Sequence, residues 1–425
     1  MQDHELTLPY GERSVSFRVP RSHAVEVLLP REVAPAEDPL ATLTQALDAP
    51  LDAPLLEELA RGKRSVTIVV DDLTRLTPVH LILPLLLERL AQGGLREGQV
   101  KVLVALGTHR AMTEEELRER VGEEIWGRVP VLNHAHWEPA ELMDLGPTRN
   151  GTPIHLNRHV VEADLVLGVG SVFPHHIAGY SGGSKIIQPG VSGAATTGAT
   201  HFGSARTRRS YLGILRNPIR EEMDAVAEAA GMQVCLNCVL TRHGDLVRAF
   251  YGAPRAVLAA AAAAADAIYG VPFQAQADVV VAGSYPADIE FWQAHKALYP
   301  ADLVVREGGI ILVVTPCPEG LAVTHPEMVD LASLSSEDLI RRVEAGEVED
   351  LVGAGLALAW AQVKERAQVW IVSDGISDEV AKAVRFVPFP SVQEAVEAAL
   401  RQAGPGARVA VIPYAPECLP LHRPA

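Results

Sequence analysis

The chain has 425 residues, 48% of them hydrophobic, and a formal net charge of −16. That is enough apolar side chain for two or three packed domains, and the excess of carboxylates without any basic run excludes a nucleic-acid partner, which would need clustered Lys and Arg. The opening stretch MQDHELTLPYGERS lacks a basic segment followed by an apolar one, and the longest near-apolar run, AVLAAAAAAADAIYGV, is broken by Asp266. Export and membrane insertion are therefore not expected, and a cytoplasmic protein is.

In chain order, short β-branched runs recur: SVTIVV (65–70), VKVLVAL (100–106), ADLVLGVG (163–170), ADVVVAG (277–283), GIILVV (309–314), QVWIV (368–372) and RVAVI (408–412). They alternate with helical patterns, the signature of α/β layers with largely parallel sheets. TEEELRERVGEEIW, from Thr113 to Trp126, opens with a Thr-x-x-Glu capping box and predicts a helix. The alanine-rich stretch Pro254 to Tyr269 predicts one long helix joining two lobes, with a boundary near Val271-Pro272. The expected fold is α/β: two lobes with largely parallel sheets flanked by helices, joined by helical connectors, with the active site in the crevice between them. The expected domains are 1–270 and 271–425, the last segment, about 405–425, being a candidate to pack back on the N-terminal domain.

Polar clusters follow the carboxyl ends of four of these strands, where open α/β sheets bind ligands. Asp72 and Arg75 in DDLTR follow the first run, His109 in GTHR the second and His175 and His176 the third, while Gln293 and Lys296 lie beyond ADVVVAG. Arg75 suits a bidentate grip on a carboxylate or phosphate, or an ordinary salt bridge, and Asp72 suits orienting Arg75 or a histidine. His109 and His175 carry the side chain suited to proton transfer near neutral pH, or to structural hydrogen bonding. His176 is expected to be the structural member of its pair, because neighbouring side chains seldom share a target. Gln293 and Lys296, three residues apart, fall on one helical face.

The stretch PHHIAGYSGGSKIIQPGVSGAATTGATH holds Gly179, Gly182 and Gly183, whose backbone can turn sharply and offer N–H groups to an anion. Its spacing is not that of a P-loop, since Ser184 precedes Lys185. Lys185 is open to three readings at this point: a phosphate contact, a covalent nucleophile or a solvated charge. Cys235 and Cys238 form a CxxC inside MQVCLNCVL, which reads as a strand, so the pair is taken as structural, as is the HAH step at 134–136.

The ordered set DDLTR, GTHR, PHHIAGYSGGSK, TTGATH and QAHK resembles the nickel-pincer lactate racemase family, 2-hydroxyacid racemases and epimerases, along essentially the whole chain. The resemblance implies a pyridinium-3-thioamide-5-thiocarboxylic acid mononucleotide attached covalently to Lys185, with nickel held by one carbon and two sulfurs of this pincer and by His201. It places Lys185, Asp72, Gly182, Gly183 and Trp360 on the cofactor. Arg75, Gln293, Lys296 and Trp292 fall on the substrate. It further implies that the C2 hydrogen passes transiently to the cofactor as hydride while His109 or His175 handles the hydroxyl proton. The implied partners are a small 2-hydroxyacid, cofactor-maturation enzymes and, as a candidate, a second copy of the chain in a homodimer.

The chain departs from the family pattern in two places. Trp292 stands where the family commonly has Tyr, and Leu76 replaces the usual Pro after the Arg of the first motif. The first change opens lactate-like substrates to larger acids such as malate or an aldonate. A lysine Schiff-base lyase and a non-catalytic cofactor-binding protein are the readings from other classes; the first gives His201 no role, and the second predicts tight cofactor binding without exchange of the α-hydrogen.

Overall fold

A computed structural model of the chain describes residues 3–207 and 210–423. It divides into two compact units, the first comprising Glu32–Thr200 and Gly213–Ile268, the second Met1–Arg31, His201–Leu212 and Tyr269–Ala425. Among the described residues, no helix is long and apolar enough to cross a membrane.

The first unit is built on a six-stranded sheet in the order Leu246–Gly252, Met232–Leu240, Leu165–Ser171, Val66–Asp71, Val100–Ala105, Val131–Asn133. All neighbours run parallel except the first two, which form a hairpin. The inner strands are mostly apolar because both faces are covered. Ile68, Val70, Val102, Val104 and Leu236 enter one core, and Val69, Leu103, Val166 and Cys235 enter the other. Cys238 faces the first of these cores, so the two cysteines of the CxxC lie on opposite faces of the sheet, both free and buried. From Val66–Asp71 the chain steps outward to Val100–Ala105 and Val131–Asn133, then returns to lay Leu165–Ser171 on the other side of the first strand. The loops leaving these two central strands thus part in opposite directions, the topological switch at which such sheets bind ligands.

In the second unit the order is Val387–Pro388, Gln368–Val372, Val305–Val314, Ala277–Gly283, Arg408–Ile412, Ala24–Val27, all parallel. Val280, Ala282, Ile311 and Val313 face one core. Val279, Val281, Ile310 and Leu312 face another, completed by Leu8, Tyr10, Phe17 and Val19 of an N-terminal hairpin, His4–Tyr10 with Arg13–Val19.

The two units are not continuous in sequence, because segments from both ends of the chain and from its middle are shared out between them. The N-terminal residues belong to the second unit, because Ala24–Val27 extends its sheet and the hairpin covers one face. The segment 405–425 also belongs there: Arg408–Ile412 is an inner strand and Leu419–His422 pairs with Gly270–Phe273. His201–Leu212 is counted with the same unit, since Phe202 and Ala205 enter its core. Helix Glu114–Val121 has the anticipated capping box, Glu116 N–H to Thr113 Oγ1 at 3.2 Å and Thr113 N–H to Glu116 Oε2 at 2.7 Å. It stops short of Trp126 because Gly122, with φ of +84°, turns the chain out of it. The alanine-rich helix runs Pro254–Tyr269 as the sequence predicts.

Candidate active site

Three neighbouring parallel strands of the first unit, Val100–Ala105, Val66–Asp71 and Leu165–Ser171, release their loops at one edge of the sheet, and those loops carry His109, Asp72 with Arg75, and His175. The loop after Val66–Asp71 is pinned by Arg120, a residue that no motif marks. Its guanidinium donates to the Asp71 carboxylate and to the carbonyls of Asp71 (2.9 Å), Arg75 (2.9 Å) and Thr77 (3.1 Å).

Asp72 is buried and its Oδ2 lies 2.6 Å from Nδ1 of His109. Its other oxygen accepts from the Thr74 N–H at 3.1 Å and the Thr74 hydroxyl at 2.5 Å. Burial by itself would raise the Asp72 carboxyl, but His109, Arg75 and Thr74 outweigh it and hold it well below the usual carboxylate range. An ionised Asp72 can only accept, so Nδ1 of His109 donates to it, and in the neutral ring the lone pair falls on Nε2.

His175 is set the opposite way. Its Nδ1 faces the backbone N–H groups of Ile177 and Ala178 at 3.2 and 3.4 Å, and these can only donate, so the neutral ring carries its proton on Nε2. The bonds arise in a tight turn between Pro174–His175 and Gly179–Tyr180. That turn also brings His176 into a near-parallel stack on His175, with centroids 4.8 Å apart, in place of the divergence expected of neighbours. Arg75 donates to the carbonyl and hydroxyl of Thr74, both at 3.2 Å, and lies over the Phe173 ring at 5.4 Å.

The glycine-rich loop is organised from beneath by Arg220, buried on helix Pro218–Ala229. It donates to the carbonyls of Ala178 (3.2 Å), Tyr180 and Gly182 (3.0 Å). Gly182 has φ of +78°, and a side chain there would collide with Val172 and Asn237. The Gly183 N–H is given to Asn237 Oδ1 at 2.8 Å rather than held out to an anion. Lys185 follows, part-buried; desolvation, with Arg75 and Arg220 adding repulsion, pushes its ammonium down to about 7.

In the second unit, Gln293 and Lys296 sit on successive turns, and the Lys296 ammonium donates to the Gln293 side-chain oxygen. Trp292 is buried and stacks face to face on His325 at 3.7 Å. His201, on helix Ala194–Thr207, lies against helix Leu351–Arg366 at Gly355, where an added Cβ would come within 2.8 Å of the His201 carbonyl carbon. Trp360 on that helix is fully buried, edge-on to Phe291 at 5.0 Å and 5.7 Å from His295.

The HAH step is structural where it is buried: His134 meets Ser192 O at 2.9 Å and Asn157 Nδ2 at 3.2 Å, and burial pushes it down to about 4. Among the described residues, no three His, Cys, Asp or Glu side chains are grouped to hold a metal ion.

Residues 10–213 match the lactate racemase N-terminal domain family and residues 273–415 the lactate racemase C-terminal domain family. The chain is 28% identical to a lactate racemase of Lactiplantibacillus plantarum and 26% identical to one of Thermoanaerobacterium thermosaccharolyticum, in each case over 96% of this chain and 97% of the relative. The structure of the lactate racemase apoprotein from Thermoanaerobacterium thermosaccharolyticum superposes with a TM-score of 0.89 at 25% identity, covering 98% of this chain and 100% of that one. A Thermotoga maritima protein shares the fold at a TM-score of 0.69 and 19% identity, covering 88% of this chain and 100% of its own.

Proposed function

The chain belongs to the lactate racemase family and is an isomerase of the racemase class, and from that premise we propose that it inverts C2 of a 2-hydroxyacid, with His109 and His175 as its acid/base pair. The observation that carries this reading is the His109–Asp72 bond of 2.6 Å beside a His175 held in the opposite tautomer.

Two enantiomers present their hydroxyls to different sides, so inversion needs proton-handling groups on both. His109 takes a hydroxyl proton at Nε2, and the Asp72 carboxylate stabilises the imidazolium that results. His175 offers an N–H to the substrate oxygen. To protonate that oxygen it must first be an imidazolium, which requires its ring to turn away from the Ile177 and Ala178 N–H groups so that Nδ1 can also carry a proton; giving one proton up leaves it neutral and able to accept one from the opposite enantiomer. Arg75, Gln293 and Lys296 hold the carboxylate, and Trp292 shapes the space for the rest of the acid.

The residues present suit the nickel pincer nucleotide. A lysine held near 7 is substantially a neutral amine at neutral pH, the form that can be acylated, so Lys185 fits as the attachment point. His201 is the nickel ligand contributed by the chain, Gly182 and Gly183 form the turn that presents Lys185, and Trp360 supports the site by packing. When bound, the group supplies an acceptor for the C2 hydrogen as hydride. Because such a cofactor has to be built elsewhere, maturation enzymes are the partners this reading requires.

The test uses protein made in a host that assembles the cofactor. Wild type is expected to interconvert 2-hydroxyacid enantiomers, to show an adduct on Lys185 by intact mass, and to carry nickel. Lys185→Ala loses both adduct and nickel, whereas His201→Ala keeps the adduct and holds nickel weakly, because the lysine anchors the organic framework and the histidine touches only the metal. Active wild type with an unmodified Lys185 and no nickel overturns the reading.

A further inference from the structure

A second His–Asp pair lies in the other unit, outside the residues given a role above. His325 Nδ1 is 2.6 Å from Asp350 Oδ2, and the other Asp350 oxygen caps helix Leu351–Arg366 by accepting the Gly353 N–H at 2.8 Å. The carboxylate therefore accepts the Nδ1 proton, and the lone pair of the neutral ring falls on Nε2. His325 is only 7% exposed, and its Nε2 is buried without a hydrogen-bond partner. Buried polar atoms are rarely left so, and each one calls for an explanation.

The place of this nitrogen supplies one. The His325 ring stacks on Trp292 at 3.7 Å with 13° between the planes, so it lies one ring thickness behind the residue next to Gln293. The loop carrying it is tied to the same segment, through Phe291 N–H to Gly320 O at 2.9 Å and Val323 N–H to Glu290 Oε2 at 3.1 Å. Trp292 is also where the sequence departs from the pattern it otherwise resembles. The charged partner of this ring is the Asp350 carboxylate, which fixes Nε2 as an acceptor. An ionised carboxylate has no proton to give to a nitrogen that presents a lone pair, whereas a substrate hydroxyl can donate to it.

We propose that Trp292 and His325 form the subsite for the carbon chain beyond C2, and that His325 Nε2 accepts a hydrogen bond from a substrate hydroxyl. The preferred substrates are then 2-hydroxyacids with a further hydroxyl on C3 rather than lactate; this rests on the reading of the protein as a 2-hydroxyacid racemase.

The experiment compares holoenzyme activity on 2,3-dihydroxypropanoate, malate and lactate in wild type, His325→Phe, which keeps the stack without the nitrogen, and Asp350→Asn, which keeps a helix cap. Calorimetric titration of the same acids reads binding without turnover. Wild type is expected to favour the dihydroxy acid. His325→Phe should lower its kcat/KM about 10–100-fold, leaving lactate within about twofold. Asp350→Asn should move the same ratio in the same direction. An equal loss on all three acids, a wild-type preference for malate or lactate, or a water on Nε2 in a crystal structure with the dihydroxy acid bound overturns the proposal. If no 2-hydroxyacid is interconverted at all, the racemase reading fails instead, and calorimetry alone then decides whether the subsite selects the hydroxyl.

Discussion

A carboxylate 2.6 Å from one nitrogen of an imidazole decides which nitrogen can act as a base, and at the residue scale that bond between Asp72 and His109 sets the chemistry. Asp72→Asn removes the charge that stabilises the imidazolium, and its amide can donate to Nδ1 and invert the tautomer. Turnover should fall about 10²- to 10⁴-fold while the Lys185 adduct still forms, as read by kcat beside intact mass; a loss under about tenfold would make Asp72 a structural residue. Lys185 shows the cost of the same neighbourhood. Its folded pKa of about 7 lies below the ordinary lysine value of 10.5, so between those values the unfolded chain binds more protons and stability rises with pH. In cofactor-free protein, Lys185→Met should therefore stabilise the fold, most strongly below pH 7. Urea midpoints at about pH 6 and about pH 9.5 would check this, the gain shrinking at the higher pH; a gain that is equal or larger there would contradict the lowered pKa.

At the scale of elements, the position of His201 depends on how closely two helices approach. Gly355 allows Leu351–Arg366 to lie against the His201–Phe202 backbone, where an added Cβ at 2.8 Å would meet atoms that cannot swing aside. Gly355→Ala is expected to cost about 1–3 kcal/mol by overpacking, against a helix-propensity gain of at most about 1 kcal/mol. Nickel retention should weaken, with the Lys185 adduct intact by mass. An unchanged metal content in a more stable protein would show that the approach is not needed. Such dependence explains what the sequence could disclose about the site. His109, Asp72 and Lys185 stand in short motifs after apolar runs, but the pairing of His109 with Asp72 depends on a parallel register that sets Asp71 level with Ala105 and so starts both loops at one height. Arg120, Arg220 and Gly355 act through contacts with segments distant in sequence, and Arg220 follows an ordinary Asn-Pro helix start with nothing to mark its burial under the glycine loop.

At the scale of the whole molecule, the parallel strands were legible because burial on two faces demands unbroken apolar runs, as in Val66–Asp71 and Ala277–Gly283. The N-terminal elements were not. Ala24–Val27 is a four-residue edge strand with no fully buried residue, and the hairpin before it shows one buried face only near its strand ends. Yet those residues complete the second unit's sheet and core, which joins both ends of the chain in one folded body. Leu8, Tyr10, Phe17 and Val19 are buried against Val279, Val281 and Leu312. At about 1.5–3 kcal/mol for each side chain, their loss is comparable with the entire stability of a domain. Deleting residues 1–28 should therefore unfold the second unit while the first, with cores of its own, remains folded. Hydrogen exchange followed by mass spectrometry is the suitable measurement, because it reports each strand separately. Protection is expected to collapse in Ala277–Gly283, Val305–Val314 and Arg408–Ile412 and to persist in Val66–Asp71 and Leu165–Ser171. If the three strands of the second unit stay protected in the truncated chain, the N-terminal hairpin is a cover and not part of the core.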